Sequence, residues 1–179
     1  MTIAETFPIP DAISFEEAIA LTQSFLAEMQ QGSLSDSKIE GTIAALAASE
    51  NGARGFFVTY LTDERSFADQ PSDSVVQGLR SSPEIVSELL VKNLAMSTAM
   101  ILAHTRSQNP EMAQGSERVQ RRTICLIQLV KLAIVQTKLQ MLSETITTNT
   151  GHYQRFLERW GYDIEQRDAI QQILKRVIT

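Results

Sequence analysis

The stretch Gly55-Phe56-Phe57-Val58-Thr59-Tyr60-Leu61 constrains the fold most, because it is the only strand-like segment in a sequence of 179 residues. Its β-branched and aromatic side chains favour a strand. A single strand has no neighbour to pair with, however, and unpaired backbone N–H and C=O groups are costly inside a protein. We therefore expect this segment to be a buried helix and the fold to be all-α.

Helix-start signals recur along the rest of the chain. Four segments carry one: Ser14 with Glu17, Ser82-Pro83-Glu84, Asn109-Pro110-Glu111, and Asp163 with Gln166. Their polar side chains bind the N–H groups that a helix leaves unpaired in its first turn. Helix ends are predicted at residues that tolerate positive φ, namely Gly32, Asn51-Gly52 and Gly161.

The apolar spacing between these signals predicts a bundle of about seven or eight helices. Residues 1–13 contain two prolines and are expected to form an extended arm, followed by a single helical domain over residues 14–179. Two long helices, about 83–107 and 110–148, would form an antiparallel hairpin at the centre of the bundle. A kink in the second of them is expected at Gly115.

The composition narrows the class of protein. One cysteine and two histidines exclude a disulfide scaffold and leave too few ligands for a structural zinc site. The first residues lack the basic start and apolar core of a secretory signal. The most apolar run, 125–135, is shorter than the roughly 20 residues that a bilayer requires. A free thiol without an export signal predicts a cytoplasmic protein with no transmembrane segment.

Charge is divided unevenly between the two halves. Residues 1–90 contain 14 acidic and four basic residues, a net charge of −10, whereas residues 91–179 contain seven acidic and 12 basic residues, a net charge of +5. The halves can neutralise each other in a compact monomer, or form an acidic and a basic face that drives head-to-tail association. A pI of about 5.1 disfavours nucleic acid and anionic lipid as partners.

The motifs of common enzyme classes are absent from the sequence. There is no Gly-rich phosphate loop, no Gly-x-Ser-x-Gly elbow, no His-Glu-x-x-His and no EF-hand loop. Cys125 lies in the most apolar run, where a thiol is normally an inert hydrophobic group. We expect no cofactor, no metal site and no catalytic residue.

A line of polar residues is the first candidate site. Asn93, Ser97 and His104 share one face of the helix predicted over 83–107, because they are four and seven residues apart. Such groups need partners when buried, since an unsatisfied amide or hydroxyl costs about 1–3 kcal/mol. Either they bond to each other, to a neighbouring helix or to internal water, or they line a pocket for a small ligand or an anion.

A group of arginines near the turn of the predicted hairpin is the second candidate site. It comprises Arg106, Arg118, Arg121 and Arg122, with His104 and Glu111 beside them. Guanidinium groups bind carboxylates and phosphates through paired N–H groups. Glu111 or His104 would then act as acid or base. The alternative is a set of solvated arginines paired with the surplus acids of the first half.

Three aromatic residues are candidates for contact with a partner. Tyr153, Phe156 and Trp160 recur at spacings of three and four in a short helix predicted over 152–160. Aromatic side chains bury large areas, so this group is expected to close the end of the core. If part of it is exposed, Trp160 with Arg155 or Arg159 is the best candidate for binding energy at a protein interface.

The segment from Ser82 to Thr123 resembles small uncharacterised helical proteins of cyanobacteria. The resemblance covers about a quarter of the chain and rests on Ser-Pro-Glu-Ile-Val-Ser-Glu-Leu-Leu and on Asn-Pro-Glu-Met-Ala-Gln-Gly-Ser-Glu-Arg-Val-Gln-Arg-Arg-Thr. It implies a cytoplasmic protein of a photosynthetic bacterium and supplies neither an activity nor a functional residue.

Two functions are consistent with these features. The first is a non-catalytic helical protein-interaction or regulatory module that associates with itself, as a homodimer, or with another protein. The second is a small anionic-ligand-binding protein or enzyme with its site at the Arg106/Glu111/Arg118 end of the hairpin. An exposed apolar patch favours the first function, and a concave pocket into which these side chains converge favours the second.

Overall fold

The computed structural model describes residues 7–179, and within that range every regular element is helical. The α-helices are α1 (Phe15–Gln31), α2 (Asp36–Ala47), α3 (Glu50–Thr62), α4 (Asp73–Arg80), α5 (Pro83–Arg106), α6 (Pro110–Val130), α7 (Ala133–Thr148), α8 (Gln154–Trp160) and α9 (Ile164–Val177). A 3₁₀ turn, Ser66–Ala68, lies between α3 and α4. The prediction of an all-α protein is confirmed.

The chain divides into two compact units, the first ending at Leu89 and the second covering Leu90–Thr179. In the first unit, α1 packs on α3, and α2 packs on both α3 and α4. In the second unit, α7 packs on α9. The boundary lies one residue from the point at which the net charge of the sequence changes from −10 to +5.

The predicted arm falls only partly within the structure, since residues 1–6 lie outside the described range. The remainder, up to the cap of α1, is not helical. Its first described side chain, Phe7, packs edge-on against Phe25 of α1 with ring centroids 5.8 Å apart. Ile13 is buried. This part of the arm is therefore held against α1 by apolar contact.

The strand-like segment forms most of α3, as expected from the lack of a pairing partner. Phe56, Phe57 and Tyr60 are buried, and the rings of Phe56 and Tyr60 stack at 5.0 Å. The Tyr60 hydroxyl donates to the Phe67 carbonyl at 2.8 Å, which satisfies its polar end. On the opposite side of this packing, Gly55 lies so close to Ala18 of α1 that a side-chain Cβ would overlap it. Burial in a helix thus outweighs the strand preference of these residues.

The predicted helix end at Asn51-Gly52 is wrong, because these residues lie in the first turn of α3. The preceding helix already ends at Ala47, and Ser49 caps the next one by accepting a hydrogen bond from the Gly52 N–H at 3.1 Å. Gly52 is needed for a different reason from the expected one. A Cβ there would overlap the Leu46 carbonyl oxygen, so the tight α2–α3 turn requires the missing side chain.

The helix predicted over 110–148 is also wrong in length, because it is interrupted and not kinked at Gly115. Gly115 lies inside the continuous helix α6. The break occurs at Lys131, which has a left-handed φ of 48°, followed by the extended residue Leu132. The two non-helical residues change the phase of the buried face, so that Val130 is followed by buried residues at Val135 and Leu139. A continuous helix from Val130 would have turned residue 134 to the core instead.

The predicted antiparallel hairpin is present in the second unit between α5 and α6. The turn closes with a hydrogen bond of 2.9 Å from the Asn109 N–H to the His104 carbonyl, with Gln108 in the left-handed region. The Gln120 side-chain amide donates to the Thr98 hydroxyl at 2.8 Å. Because Thr98 and Gln120 are equally distant in sequence from Asn109, the two helices lie antiparallel and side by side.

Among the described residues, one helix, α5, is long and apolar enough to cross a bilayer. It is more apolar over a long span than the run 125–135 singled out in the sequence. Half of its most apolar window is buried inside the protein. Core helices of globular proteins share this property, so the finding gives no clear transmembrane segment.

Candidate functional site

Arg106, in the last turn of α5, forms its ion pairs with α9. Its guanidinium donates to the Asp163 carboxylate at 2.6 Å and also binds Glu165. The hydrogen bond to Asp163, followed by that to Glu165, raises the pKa of Arg106 above its ordinary value. The same bond, with one from the Gln166 N–H, lowers the pKa of the Asp163 carboxyl. Two carboxylates therefore neutralise the cation that the sequence assigned to an anion.

The other members of the predicted arginine group differ widely in exposure. Arg122 is only 1% exposed, whereas Arg121 and Glu111 are exposed. Arg118 is half-buried, and its Nε has no hydrogen-bond partner in the described part of the chain. No described hydrogen bond or ion pair joins Arg106, Glu111 and Arg118, so these three do not converge on one point.

The polar line on α5 is satisfied locally at its centre. The buried Ser97 hydroxyl donates to the Asn93 carbonyl at 2.7 Å and lies 3.2 Å from the Leu94 carbonyl. Asn93 and His104 are half-buried. Ser97 therefore needs no ligand, because its own helix supplies an acceptor. The polar residue of this helix that reaches a neighbouring helix is Thr98, which the sequence analysis did not select.

The largest concavity described by residues of the second unit is an open depression of about 680 Å³. It is lined by Arg106, Asn149, Tyr162, Asp163, Ile164, Glu165 and Arg167. Arg167 bonds to the Tyr162 carbonyl and to the Asn149 side chain, both at 3.1 Å. Burial raises the pKa of Tyr162 above its ordinary value, which keeps its hydroxyl protonated at neutral pH. The charged groups of this depression already have internal partners.

Metal binding finds no support in the described residues, where no three His, Cys, Asp or Glu side chains lie close enough together to hold an ion. A second open depression, of about 470 Å³, lies at the α5–α6 turn. Its lining includes Gln108, Asn109 and Glu117 but neither Arg118 nor His104. The predicted site residues therefore do not share a pocket at the turn of the hairpin.

The aromatic group separates into a buried part and an exposed part. Tyr153 is buried, and Phe156 packs against both Tyr153 and Tyr162 with ring centroids 6.3 Å and 6.2 Å apart. Lys92 of α5 places its ammonium 5.8 Å from the centre of the Phe156 ring. Trp160, by contrast, is 50% exposed. It is the last residue of α8, and the chain turns away at Gly161, which has a φ of 61°.

A second large apolar side chain lies next to Trp160. Ile164, the first residue of α9, is 78% exposed, more than any other large apolar side chain in the described range. Three residues separate it from Trp160, which limits the distance between the two Cα atoms to about 14 Å. Ile164 was missed in the sequence, although a signal existed. Six residues separate it from the buried Ile170, which puts it outside the apolar stripe of α9.

Two arginines of α8 complete this surface. Arg155 and Arg159 are one turn apart and exposed, and within the described residues neither makes a hydrogen bond or an ion pair through its side chain. We call Arg155, Arg159, Trp160 and Ile164 the α8–α9 surface. Met100 of α5, 39% exposed, lies beside the start of α9, because the adjacent Ala99 carbonyl accepts a hydrogen bond from Gln166 at 3.2 Å. The α8–α9 surface thus combines unpaired positive charge with exposed apolar side chains.

Comparison with known proteins gives one match. A family model described as "Uncharacterised conserved protein UCP020893" matches residues 14–177, which is nearly the whole chain. No curated protein and no solved structure matches the sequence significantly.

Proposed function

Since the chain belongs to the UCP020893 family, whose description names no activity, we propose its function from its surface: it is a non-catalytic protein-interaction module that associates with itself. The observation that carries this proposal is the exposure of Trp160 and Ile164 side by side at the α8–α9 turn. Each would lose unfavourable apolar contact with water on binding a partner.

The residue types of the α8–α9 surface support the proposal. Tryptophan and arginine are the residues that most often dominate the binding energy of protein interfaces, and they do so when a partner excludes water from them. Arg155 and Arg159 have no described internal ion pair to break before binding. The cost of exchanging partners is therefore absent for these two arginines, unlike for Arg106.

The arrangement of the charged groups offers less to a catalytic or anion-binding function. General acid–base catalysis requires a titratable group directed at a substrate in a cleft. Arg106, Asp163 and Glu165 bind one another in the larger depression. The seven residues lining the smaller one include a single ionisable side chain, Glu117. These contacts favour the interaction module over the anion site at Arg106, Glu111 and Arg118.

The setting that we propose is the cytoplasm, as a homo-oligomer. Cys125 is a free, half-buried thiol, and free thiols persist in reducing compartments. The uneven charge of the sequence, with an acidic first half and a basic second half, provides electrostatic attraction between copies. The resemblance of residues 82–123 further suggests a photosynthetic bacterium as the source.

Sedimentation velocity over a wide concentration range tests this proposal. The wild-type chain is expected to associate reversibly, and Trp160→Ala is expected to weaken association by roughly tenfold or more, as for a central interface residue. Met112→Ala is the matched control, because Met112 is similarly exposed, at 52%, but lies in the first turn of α6. A wild-type chain that stays monomeric at every concentration would contradict the proposal.

A further inference from the structure

The α8–α9 surface is positively charged, which limits what it can bind. Arg155 and Arg159 carry two positive charges beside Trp160, and no acidic side chain described in the structure pairs with them. Glu158 lies between them in sequence, and its carboxylate accepts a hydrogen bond from Gln154 at 2.9 Å. An apolar partner without negative charge would desolvate both arginines without replacing their hydration.

Two copies of this surface do not suit each other. A two-fold symmetric interface centred on the α8–α9 surface would bring four guanidinium groups together in a region from which water is excluded. Like charges at an interface oppose binding and select against that arrangement. A symmetric dimer through this surface is therefore disfavoured by the charge that flanks Trp160.

The first unit of the same chain has the complementary charge. It carries a net charge of −10, and many of its carboxylates are exposed and free of side-chain bonds in the described residues. These are Asp11, Glu16, Glu40, Glu50, Glu64 and Asp73. An acidic surface of this kind attracts the basic α8–α9 surface of another molecule over a distance of about 10 Å at moderate ionic strength.

We propose that the α8–α9 surface of one copy binds the acidic first unit of a second copy, so that the protein associates head to tail. This inference rests on the proposed function, because it requires self-association. Each bound copy still presents one unoccupied acidic unit and one unoccupied basic surface. Such heterologous contacts produce rings or open chains of molecules, whereas symmetric contacts stop at a dimer.

Mixing experiments distinguish the two arrangements. In the double variant Arg155→Glu with Arg159→Glu, the basic surface is destroyed while the acidic unit is intact. Alone, this variant is expected to associate at least tenfold more weakly than the wild type. Mixed with wild-type protein, it is expected to bind as a terminal copy, because its acidic unit still fits the wild-type α8–α9 surface, and to shorten the wild-type assemblies.

The readout is sedimentation velocity with a fluorescent label on the variant's N-terminus, titrated with unlabelled wild-type protein. Lys175→Glu with Arg176→Glu is the matched control, since these exposed residues at the end of α9 give the same change in net charge. That control is expected to associate as the wild type does. Far-UV circular dichroism verifies that both variants are folded.

The outcomes separate this inference from the proposed function. If the wild type associates and the labelled double variant sediments with it, the head-to-tail arrangement is supported. If the wild type associates but the variant remains monomeric in the mixture, or if the control weakens association equally, head-to-tail binding through this surface is overturned while self-association stands. If the wild type never associates, both proposals fail.

Discussion

Arg106 and Asp163 are joined by a hydrogen bond of 2.6 Å between the end of α5 and the start of α9. Asp163 is also the N-cap of α9, where it accepts a hydrogen bond of 2.9 Å from the Gln166 N–H, and the Gln166 side chain returns a bond to the Asp163 N–H. One carboxylate thus stabilises a helix terminus and pairs with a cation from another helix.

This relationship predicts how stability depends on pH. The folded pKa of Asp163 lies below its ordinary value of 3.8, first because of Arg106 and then because of the Gln166 N–H. A lowered folded pKa contributes stability that is fully present above the ordinary pKa and is lost as the pH falls through the folded one. Asp163→Asn keeps a capping side chain but not the charge. We expect its Tm to be lower than that of the wild type at neutral pH.

The Tm difference between wild type and Asp163→Asn should shrink as the pH falls below 3.8. Thermal unfolding followed by circular dichroism at a series of pH values measures it. Asp168→Asn, which removes an exposed carboxylate of α9 with no described side-chain bond, should show no such dependence. Parallel curves for wild type and Asp163→Asn down to the acid-unfolding limit would contradict the assignment.

Two glycines in helices predict opposite effects of the same substitution. At Gly41, in α2, nothing lies within 4 Å of a new Cβ, so Gly41→Ala should raise the free energy of unfolding by about 0.5–1 kcal/mol. At Gly55, in α3, the new Cβ would overlap Ala18. Gly55→Ala should therefore lower the free energy of unfolding by roughly 1–3 kcal/mol, despite the better helix propensity of alanine.

Urea unfolding of both variants, with the slope on denaturant checked for constancy, provides these values. The comparison is internal, because both substitutions are the same and both sites are helical. A stabilising Gly55→Ala would show that α1 and α3 are not as close as described.

The hydrogen bond between Thr98 and Gln120 predicts a coupling energy across the hairpin. Thr98 is buried, and its hydroxyl both donates to the Leu94 carbonyl at 2.7 Å and accepts from Gln120. Removing either partner should destabilise the protein by about 1 kcal/mol. The double-mutant cycle of Thr98→Val with Gln120→Ala should give a coupling of about 0.5–1.5 kcal/mol.

The control cycle for the hairpin uses Thr105→Val with Gln120→Ala. The Thr105 hydroxyl bonds within its own helix, to the Ile101 carbonyl at 2.7 Å, and its side chain is exposed. The two changes should be additive within experimental error. Equal coupling in both cycles would mean that the effect does not arise from the Thr98–Gln120 bond.

Local signals in the sequence predicted the start of most helices, because a cap acts over three or four neighbouring residues. The Ser14–Glu17 and Asp163–Gln166 capping boxes both form as expected. Asn109 caps α6, and Pro110 follows it. These interactions require no distant part of the chain, so the residues that make them are visible in a short window of sequence.

The interruption at Lys131 was not predicted, because neither glycine nor proline marks it. A lysine in the left-handed region costs conformational energy, which the surrounding structure offsets. The signal was a change of phase between Val130 and Val135 in the apolar pattern. Its purpose becomes clear only in the fold, where α7 packs on α9 and Gln171 donates to Ser143 at 2.7 Å.

The candidate site shows the same division. Residue types and spacing identified Trp160, Arg155 and Arg159 as candidates for protein contact, and the exposure of Trp160 agrees with that hypothesis. The spacing also grouped Arg106 with Glu111 and Arg118. Its actual partners, Asp163 and Glu165, are more than 50 residues away in sequence. No local pattern distinguishes one acid from another at that distance.

The sequence by itself determined that this protein is helical, where most of its helices begin, and how its charge is distributed, since these depend on neighbouring residues and on composition. Only the tertiary structure decided which charges are paired, which small residues separate helices and which apolar side chains remain in water. Those outcomes depend on the approach of segments far apart in sequence, and the free energy of each contact is realised only once the whole chain is packed.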